Sequence, residues 1–221
     1  MEWTFYKPIF EYDKFENINI SLNSAWIGHV NFAYDLVRFK KPRTIVELGA
    51  YSGTSFFSFC QGVKDEGIST KCFAIDNWKG DGHTGSYGEE IFRTVKKISS
   101  ECYPDISVLI RSNFDDAVND FDDESIDILH IDGYHTFDAV SHDYATWLSK
   151  VSKNGIVLFH DISIKIHDFG VYKLWEELKS KHIHFQFEHS SGLGVLFPKG
   201  CDNNILEVIK KKEELKSKYC Q

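Results

Sequence analysis

A short β-branched run, Thr44 to Leu48 (TIVEL), feeds a glycine-bearing turn and then a helical stretch from Ser52 to Val63. A strand that passes so directly into a helix commits the chain to β-α-β units, because a parallel neighbour is reached only through a crossover. The alternation continues. Lys71 to Asp76 (KCFAID) reads as a second strand ending in an acid, followed by a glycine-rich polar loop from Asn77 to Gly88 and a helix from Glu89 to Ser99. Ile106 to Ile110 reads as a third strand, Asn113 to Asn119 as a short helix, and Ile126 to Ile131 (IDILHI) as a fourth strand. Phe137, Val140, Tyr144, Trp147, Leu148 and Val151 form one apolar stripe, predicting an amphipathic helix. Asn154-Gly155 is expected to close it, before a fifth strand from Ile156 to Phe159. A helix from Val171 to Lys179 leads to two strand-like runs, His184 to Phe187 and Gly194 to Phe197, joined by a turn near Ser191-Gly192.

The expected fold is therefore α/β: a three-layer α/β/α sandwich around a Rossmann-like, mainly parallel, seven-stranded sheet with an antiparallel edge hairpin. Before the first strand, Trp26, Val30, Ala33, Leu36 and Val37 recur at helical spacing from Ser24 to Phe39, and Lys41-Pro42 ends that helix. A single domain is expected, with an arm over 1–23, a core over 24–200 and a terminal helix within 201–221.

Composition narrows the partners. The formal net charge is −8, and Lys210, Lys211 and Lys212 are followed at once by Glu213 and Glu214, a solvated helix face. Nucleic acid and anionic membrane are thereby disfavoured as partners. The five cysteines (60, 72, 102, 201 and 220) form no C-x-x-C pair, and Cys60 and Cys72 lie in apolar stretches, which points to buried reduced thiols. The N-terminal MEWTFYKPIF has neither a basic n-region nor an apolar run, and no stretch approaches a membrane span. A reducing cytoplasm is the expected compartment. The aromatic share is 15%; many of these residues must sit in the core, and a surplus would suit a sugar or small-molecule pocket.

In open parallel sheets, ligands bind beyond the carboxyl ends of the strands, where the strand order reverses. There the sequence reads VELGAYSGTS. Gly49 and Gly53 permit a tight turn, but Tyr51 takes the middle position of a dinucleotide G-x-G-x-x-G, and no Walker loop is present. The turn suits a ligand without phosphates at that point. Asp76 could accept both hydroxyls of a ribose or merely cap the following turn. Glu47, in an otherwise apolar strand, needs a partner, and a cationic ligand would be one.

These residues carry a resemblance. VELGAYSGTS is similar to motif I of class I S-adenosylmethionine (SAM)-dependent methyltransferases, and its ELGAY-x-G form resembles the turn of catechol-type O-methyltransferases. CFAIDNWKGDGHTGSYGEEIF, IDILHIDGYHTFDAVSHDYATWL and GIVLFHDI resemble a bacterial-type methyltransferase family found with glycosyltransferases of surface polysaccharides. The resemblance covers roughly Ser24 to Phe197. It implies that Glu47, Gly49, Ser52 and Gly53 lie along the methionine part of SAM. By the same resemblance Asp76 holds the ribose, Asn77 and Trp78 flank the adenosine, and Ser112 and Asn113 sit near the adenine edge.

Asp132 in HIDGYH and Asp161 in FHDI end the fourth and fifth strands and point into one crevice. Two such carboxylates suit Mg²⁺ or Mn²⁺, and the resemblance places metal ligands at both positions. Two departures stand out. Catechol-type enzymes follow the second Asp with Asn, where this chain has Ile162, and related metal-dependent sugar and antibiotic methyltransferases precede it with an acid, where this chain has His160. A third ligand at His160 would tilt the preference from Mg²⁺ toward Mn²⁺ or another transition ion. His135 reads on its own as a helix-cap histidine; macrolide-sugar methyltransferases that share a D-G-x-H element use the matching His as general base, so the resemblance makes His135 and Asp132 the expected catalytic pair.

The Gly80 to Tyr87 loop is expected as a lid or acceptor contact through His83 and Tyr87, or else as an ordinary polar loop. Trp26 and His29 resemble family positions near the active-site mouth, though Trp26 also fits helix packing. The expected function is SAM-dependent O-methyl transfer to a sugar hydroxyl of a glycan or glycan precursor, with a glycosyltransferase as a possible partner. Two alternatives stand beside it: a phenolic or antibiotic-like acceptor, and a non-catalytic docking module.

Overall fold

The computed structural model describes residues 2–18 and 24–220. The expected arm over 1–23 therefore falls partly outside the described residues, at 1 and 19–23, as does position 221 of the terminal helix. After a 3-10 turn at Ala25–His29, helix α1 (Val30–Lys40) stops at Lys41, whose left-handed backbone (φ 50°) precedes Pro42. Strand β1 (Thr44–Leu48) is followed by α2 (Thr54–Glu66), and β2 (Lys71–Asp76) by a small hairpin of β3 (Gly80–Asp81) and β4 (Gly85–Ser86). Helix α3 (Glu89–Cys102), strand β5 (Ser107–Arg111), the short α4 (Phe114–Ala117), β6 (Ile126–Ile131), α5 (Phe137–Trp147) and β7 (Val151–His160) continue the alternation. Helix α6 (Val171–Lys179), the hairpin β8 (Ile183–Phe187) and β9 (Leu193–Phe197), and helices α7 (Asn203–Lys210) and α8 (Lys212–Tyr219) complete it.

The main sheet has seven strands in the order β5-β2-β1-β6-β7-β9-β8. Five are parallel; β9 joins β7 antiparallel and β8 forms the edge, as the turn chemistry at Ser191-Gly192 predicts. Alternate strand residues feed opposite layers, as the two-residue side-chain period dictates. Ile45, Ile128 and Leu158 join a core with α1, α2, α3 and the C-terminal helices. Val46, Leu129 and Phe159 join one with α4, α5 and α6. The strand order reverses between β1 and β6, so their carboxyl ends frame the crevice where such sheets bind ligands.

The passage from α5 to β7 differs from the sequence reading. Helix α5 gives way to a 3-10 turn at Leu148–Lys150, and Asn154-Gly155 lies inside β7 rather than closing the helix. Val151 is fully buried and pairs with Ile126, so the strand starts early; Asn154 takes a left-handed turn (φ 60°) where the register shifts between Ile126 and Ile128. Such a bulge uses the same Asn-Gly chemistry that ends helices. The terminal helix is also two helices, broken at Lys211 (φ −98°, ψ 19°).

The terminal segments pack on one another. Trp3 stacks on Phe32 and donates its indole N–H to the Tyr219 hydroxyl at 2.9 Å, while that hydroxyl donates to the buried carboxylate of Asp35. Cys60, Cys72 and Cys102 are buried, and all five cysteines are free thiols. Among the described residues no helix is long and apolar enough to cross a membrane.

Candidate active site

At the β1–β6 boundary, Gly49 (φ 90°) turns the chain so closely against β6 that a Cβ there would collide with the Asp132 carbonyl. Its N–H donates to the Ile75 carbonyl at 2.9 Å, and the Asp132 N–H donates to the Leu48 carbonyl at 2.9 Å. These bonds hold three strand ends flush. Beside them opens a cleft of about 270 Å³, lined by Gly49, Asp76, Asn77, Tyr87, Ser112, Asn113 and Asp132 from the expected set. No lysine or arginine is among the described residues that line it.

Asp76 takes the capping role weighed for it and keeps its place on the cleft wall. Its carboxylate accepts from the Trp78 N–H at 2.7 Å and the Tyr51 N–H at 2.9 Å, so it does cap the turn, yet it still faces the cleft. Burial pushes it above the ordinary carboxylate range, against the pull of those two N–H donors. Trp78 lies behind the wall, fully packed, with its indole N–H donated to the Tyr51 carbonyl. Ser52 is half-buried and Gly53 buried; neither is among the described residues lining the cleft.

Glu47 is buried beneath the turn and already has protein partners: the Ser55 hydroxyl and, at 2.9 Å, Nδ1 of His130. Glu47 and His130 are register partners on adjacent strands. Burial raises the Glu47 carboxyl, and the His130 and Ser55 bonds oppose it. The Glu47 Oε2, His130 Nε2 and Trp26 Nε1 atoms are buried without a hydrogen-bond partner. The first of these would accept an ammonium hydrogen, so the residues present fit the amino-acid end of SAM.

Asp132, His135 and Asp161 converge, with one ligand atom from each within 4.8 Å of the others. Asp161 reaches inward because its backbone is left-handed (φ 60°), a strain typical of functional positions. His135 Nε2 lies 3.0 Å from Asp161 Oδ2 and 3.5 Å from Asp132 Oδ1. His160 Nδ1 lies 3.4 and 3.5 Å from the same two oxygens, while its Nε2–H donates to the Ser190 carbonyl at 3.1 Å. Burial alone would lower both imidazoles. The two carboxylates outweigh it and lift each to about 10, and both carboxylates fall below their ordinary range. Two carboxylates with imidazole nitrogen between them form a donor set that fits a divalent cation.

The β3–β4 hairpin folds over this group. His83 Nδ1 lies 3.3 Å from His135 Nδ1, and its Nε2 is 2.7 Å from Asp168. Phe169 stacks on both imidazoles, with ring centroids at 4.3 Å from His83 and 4.9 Å from His135, and Tyr134 lies against His83 at 4.6 Å. Trp26 and His29, expected at the mouth, are instead buried: Trp26 packs on His130 and His160, and His29 is bonded to the Ser190 carbonyl. Apolar packing displaces them from solvent, and burial lowers His29 to about 3.

Sequence reasoning missed Ser55, His130, Asp168 and Phe169. His130 had a readable signal: like Glu47, it is a polar residue in an apolar strand, and parallel pairing puts the two side by side. Asp168 and Phe169 come from an irregular loop after β7 and gave none.

A family model described as a methyltransferase domain matches residues 46–162. Over 79% of its length the chain is 43% identical to y4gI of Sinorhizobium fredii, an uncharacterized protein, but the match spans only 19% of that relative. Among solved structures, the fold is similar to a methyltransferase from Geobacter sulfurreducens (TM-score 0.60, 14% identity, 86% of this chain and 87% of that chain). It is also similar to the Bacillus cereus O-methyltransferase in complex with S-adenosylhomocysteine (SAH) (0.61, 12%, 85% and 89%). A third similar structure is the O-methyltransferase TomG of Streptomyces achromogenes, involved in tomaymycin synthesis, in complex with SAM (0.58, 13%, 86% and 87%).

Proposed function

The chain belongs to the methyltransferase-domain family whose model covers just over half of it, and from that premise we propose that it transfers the methyl group of SAM to a sugar hydroxyl of a glycan or glycan precursor. The observation that carries the reading is the convergence, at one switch point, of the Asp76 cleft and the Asp132–His135–Asp161 group. The SAM- and SAH-bound fold neighbours support the cofactor. A cleft rich in acids and free of described cationic side chains supports a neutral, hydroxyl-bearing acceptor over a phosphorylated one. Tyr134, Phe169 and His83 supply ring faces on which a sugar can rest.

Asp132, Asp161 and His160 would hold a divalent cation. His160 suits a ligand because its other ring nitrogen is fixed on a carbonyl, which aims Nδ1 at the carboxylates. His135, the more exposed imidazole at 12% against 4%, faces the acceptor side and is the base. The chemistry supplied at that site would be Lewis-acid lowering of the acceptor hydroxyl's pKa, and with Asp132 and Asp161 engaged as ligands His135 would be left free to accept a proton. His135 then takes the hydroxyl proton at Nε2. Asp76 and Glu47 fix the donor molecule at its ribose and amino-acid ends. Most of the rate comes from that alignment, worth up to ~7–11 kcal/mol. A glycosyltransferase is the proposed partner, supplying the glycan.

The first test is calorimetric titration of metal-stripped protein with SAH, with and without Mn²⁺. Micromolar binding that is lost in Asp76→Ala is expected. Transfer of labelled methyl from SAM is then compared across neutral glycans and phenols. Label on phenols alone would replace the sugar reading with that of a small-molecule enzyme. No SAH binding under either condition would favour a docking module.

A further inference from the structure

Three carboxylates that line the cleft, Asp81, Asp115 and Asp143, have no part in the proposed chemistry, and of these Asp143 alone is buried. Asp143 lies in the middle of α5, is 7% exposed, and lines the cleft. Its neighbours on the helix, Val140, Tyr144 and Trp147, enter the apolar layer, while its Oδ2 reaches the turn after β6. A Cβ added to Gly133 would meet that oxygen at 3.3 Å and the edge of Phe114 at 2.6 Å. Gly133 therefore leaves a slot whose walls are Phe114 and the Asp143 carboxylate. Among the described residues no group donates a hydrogen bond to Asp143. Its surroundings are unfavourable to charge: burial lifts it to about 7, His142 opposes that, and Asp115 adds to it. A carboxylate this deep without a donor is costly to keep, and it is aimed into a binding cleft.

The position decides which part of a ligand would meet it. Asp76 marks the ribose, and the Asp132–His135–Asp161 group marks the reacting end. The space left for the base lies between Asn77 and Gly133, against Ser112, Asn113 and Phe114. Adenine carries one hydrogen-bond donating group, its exocyclic amine. Resting on the proposed cofactor, we infer that Asp143 accepts the adenine N6 amine and is the residue that makes this cleft specific for adenine. The Phe114 edge flanks the same slot and limits the base to a flat one. A site built to bond an amine discriminates strongly against an analogue lacking it, because its own polar group is then left buried and unpaired.

The test compares SAH with its 6-deamino (purine) analogue by calorimetry on the unmodified chain, on Asp143→Ala and on Asp143→Asn. The unmodified chain should prefer SAH by about tenfold or more. Asp143→Ala should weaken SAH by a similar factor, leave the analogue nearly unchanged and bring the ratio close to one. Asp143→Asn, which keeps a carbonyl acceptor and nearly the same shape, should retain most of the preference and guards against misfolding of the smaller variant. Equal binding of SAH and analogue by the unmodified chain, or an undiminished ratio in Asp143→Ala, would overturn the assignment alone. Failure of the unmodified chain to bind SAH at all would overturn the cofactor reading, and the assignment with it.

Discussion

Glu47 and His130 are both fully buried and joined across paired strands, with Ser55 as the second donor to the carboxylate. Removing one member of such a pair strands the other in a low-dielectric core. Glu47→Ala should therefore destabilise the fold by ~3–5 kcal/mol in urea unfolding, whereas Glu47→Gln should lose far less. A second prediction concerns protons. His135 and His160 are lifted to about 10 by Asp132 and Asp161, so both hold a proton at neutral pH. A cation competes with those protons, and Mn²⁺ binding at pH 7.5 should release about one to two protons per ion. Calorimetry in buffers of different protonation enthalpy reads this directly, and release of none would remove His160 from the ligand set. The same shifts fix a sign for stability. The imidazole contribution is complete below their unfolded value near 6.5 and is lost as pH rises through about 10; the carboxylate contribution is lost as pH falls below the ordinary carboxylate range.

The β3–β4 hairpin is the element that brings His83 to His135, and its geometry depends on Gly80. With φ at 81° and the Gly85 carbonyl directly opposite, Gly80 has no room for a side chain. Gly80→Ala should open the hairpin and lower kcat/KM for the acceptor by about tenfold, equivalent to about 1.4 kcal/mol, with a smaller effect on SAH affinity. Equal losses in both would mean that the hairpin serves the cofactor rather than the acceptor. The bulge in β7 is a second case. Asn154→Ala replaces a residue that tolerates the left-handed region with one that does not, and should cost about 1 kcal/mol in urea unfolding. At this scale the sequence was legible where a period was strong: β1, β2, β6 and α6 lie where their patterns put them. It was misleading at Asn154-Gly155, because the same dipeptide ends helices and makes bulges, and only the pairing of Val151 with Ile126 separates the two.

The terminal segments of the described structure meet through Trp3, Tyr219 and Asp35. Burial raises Asp35 to about 7, with the Tyr219 hydroxyl and Tyr6 N–H opposing it. A raised acid contributes stability that is complete below its unfolded value near 4 and is lost as pH rises through about 7. Asp35→Asn keeps an acceptor for Tyr219 but cannot ionise. Its stability should fall less between pH 5 and pH 8 than that of the unmodified chain. The difference should be on the order of 2 kcal/mol, the full shift being discounted because Arg38 and the Tyr6 N–H relieve part of the charge. Parallel pH profiles for the two proteins in urea unfolding would show that Asp35 is not the group responsible.

The amino-acid sequence by itself determined the layer architecture, the closing hairpin and the glycine turn at the cofactor end. Each follows from local information: a two- or 3.6-residue period, a proline or glycine at a fixed offset, an acid at a strand terminus. It also singled out Asp76, Asp132 and Asp161, because polar residues at the ends of predicted parallel strands must gather along one edge of the sheet, whereas His135 entered through the D-G-x-H resemblance. Tertiary structure decided what those residues touch. It gave Glu47 a partner in His130, withdrew Trp26 and His29 into the core, folded His83 and Phe169 over His135, and left Asp143 facing the cleft. Those contacts join segments far apart in the chain, and their distances depend on strand order and loop path, neither of which any local pattern records.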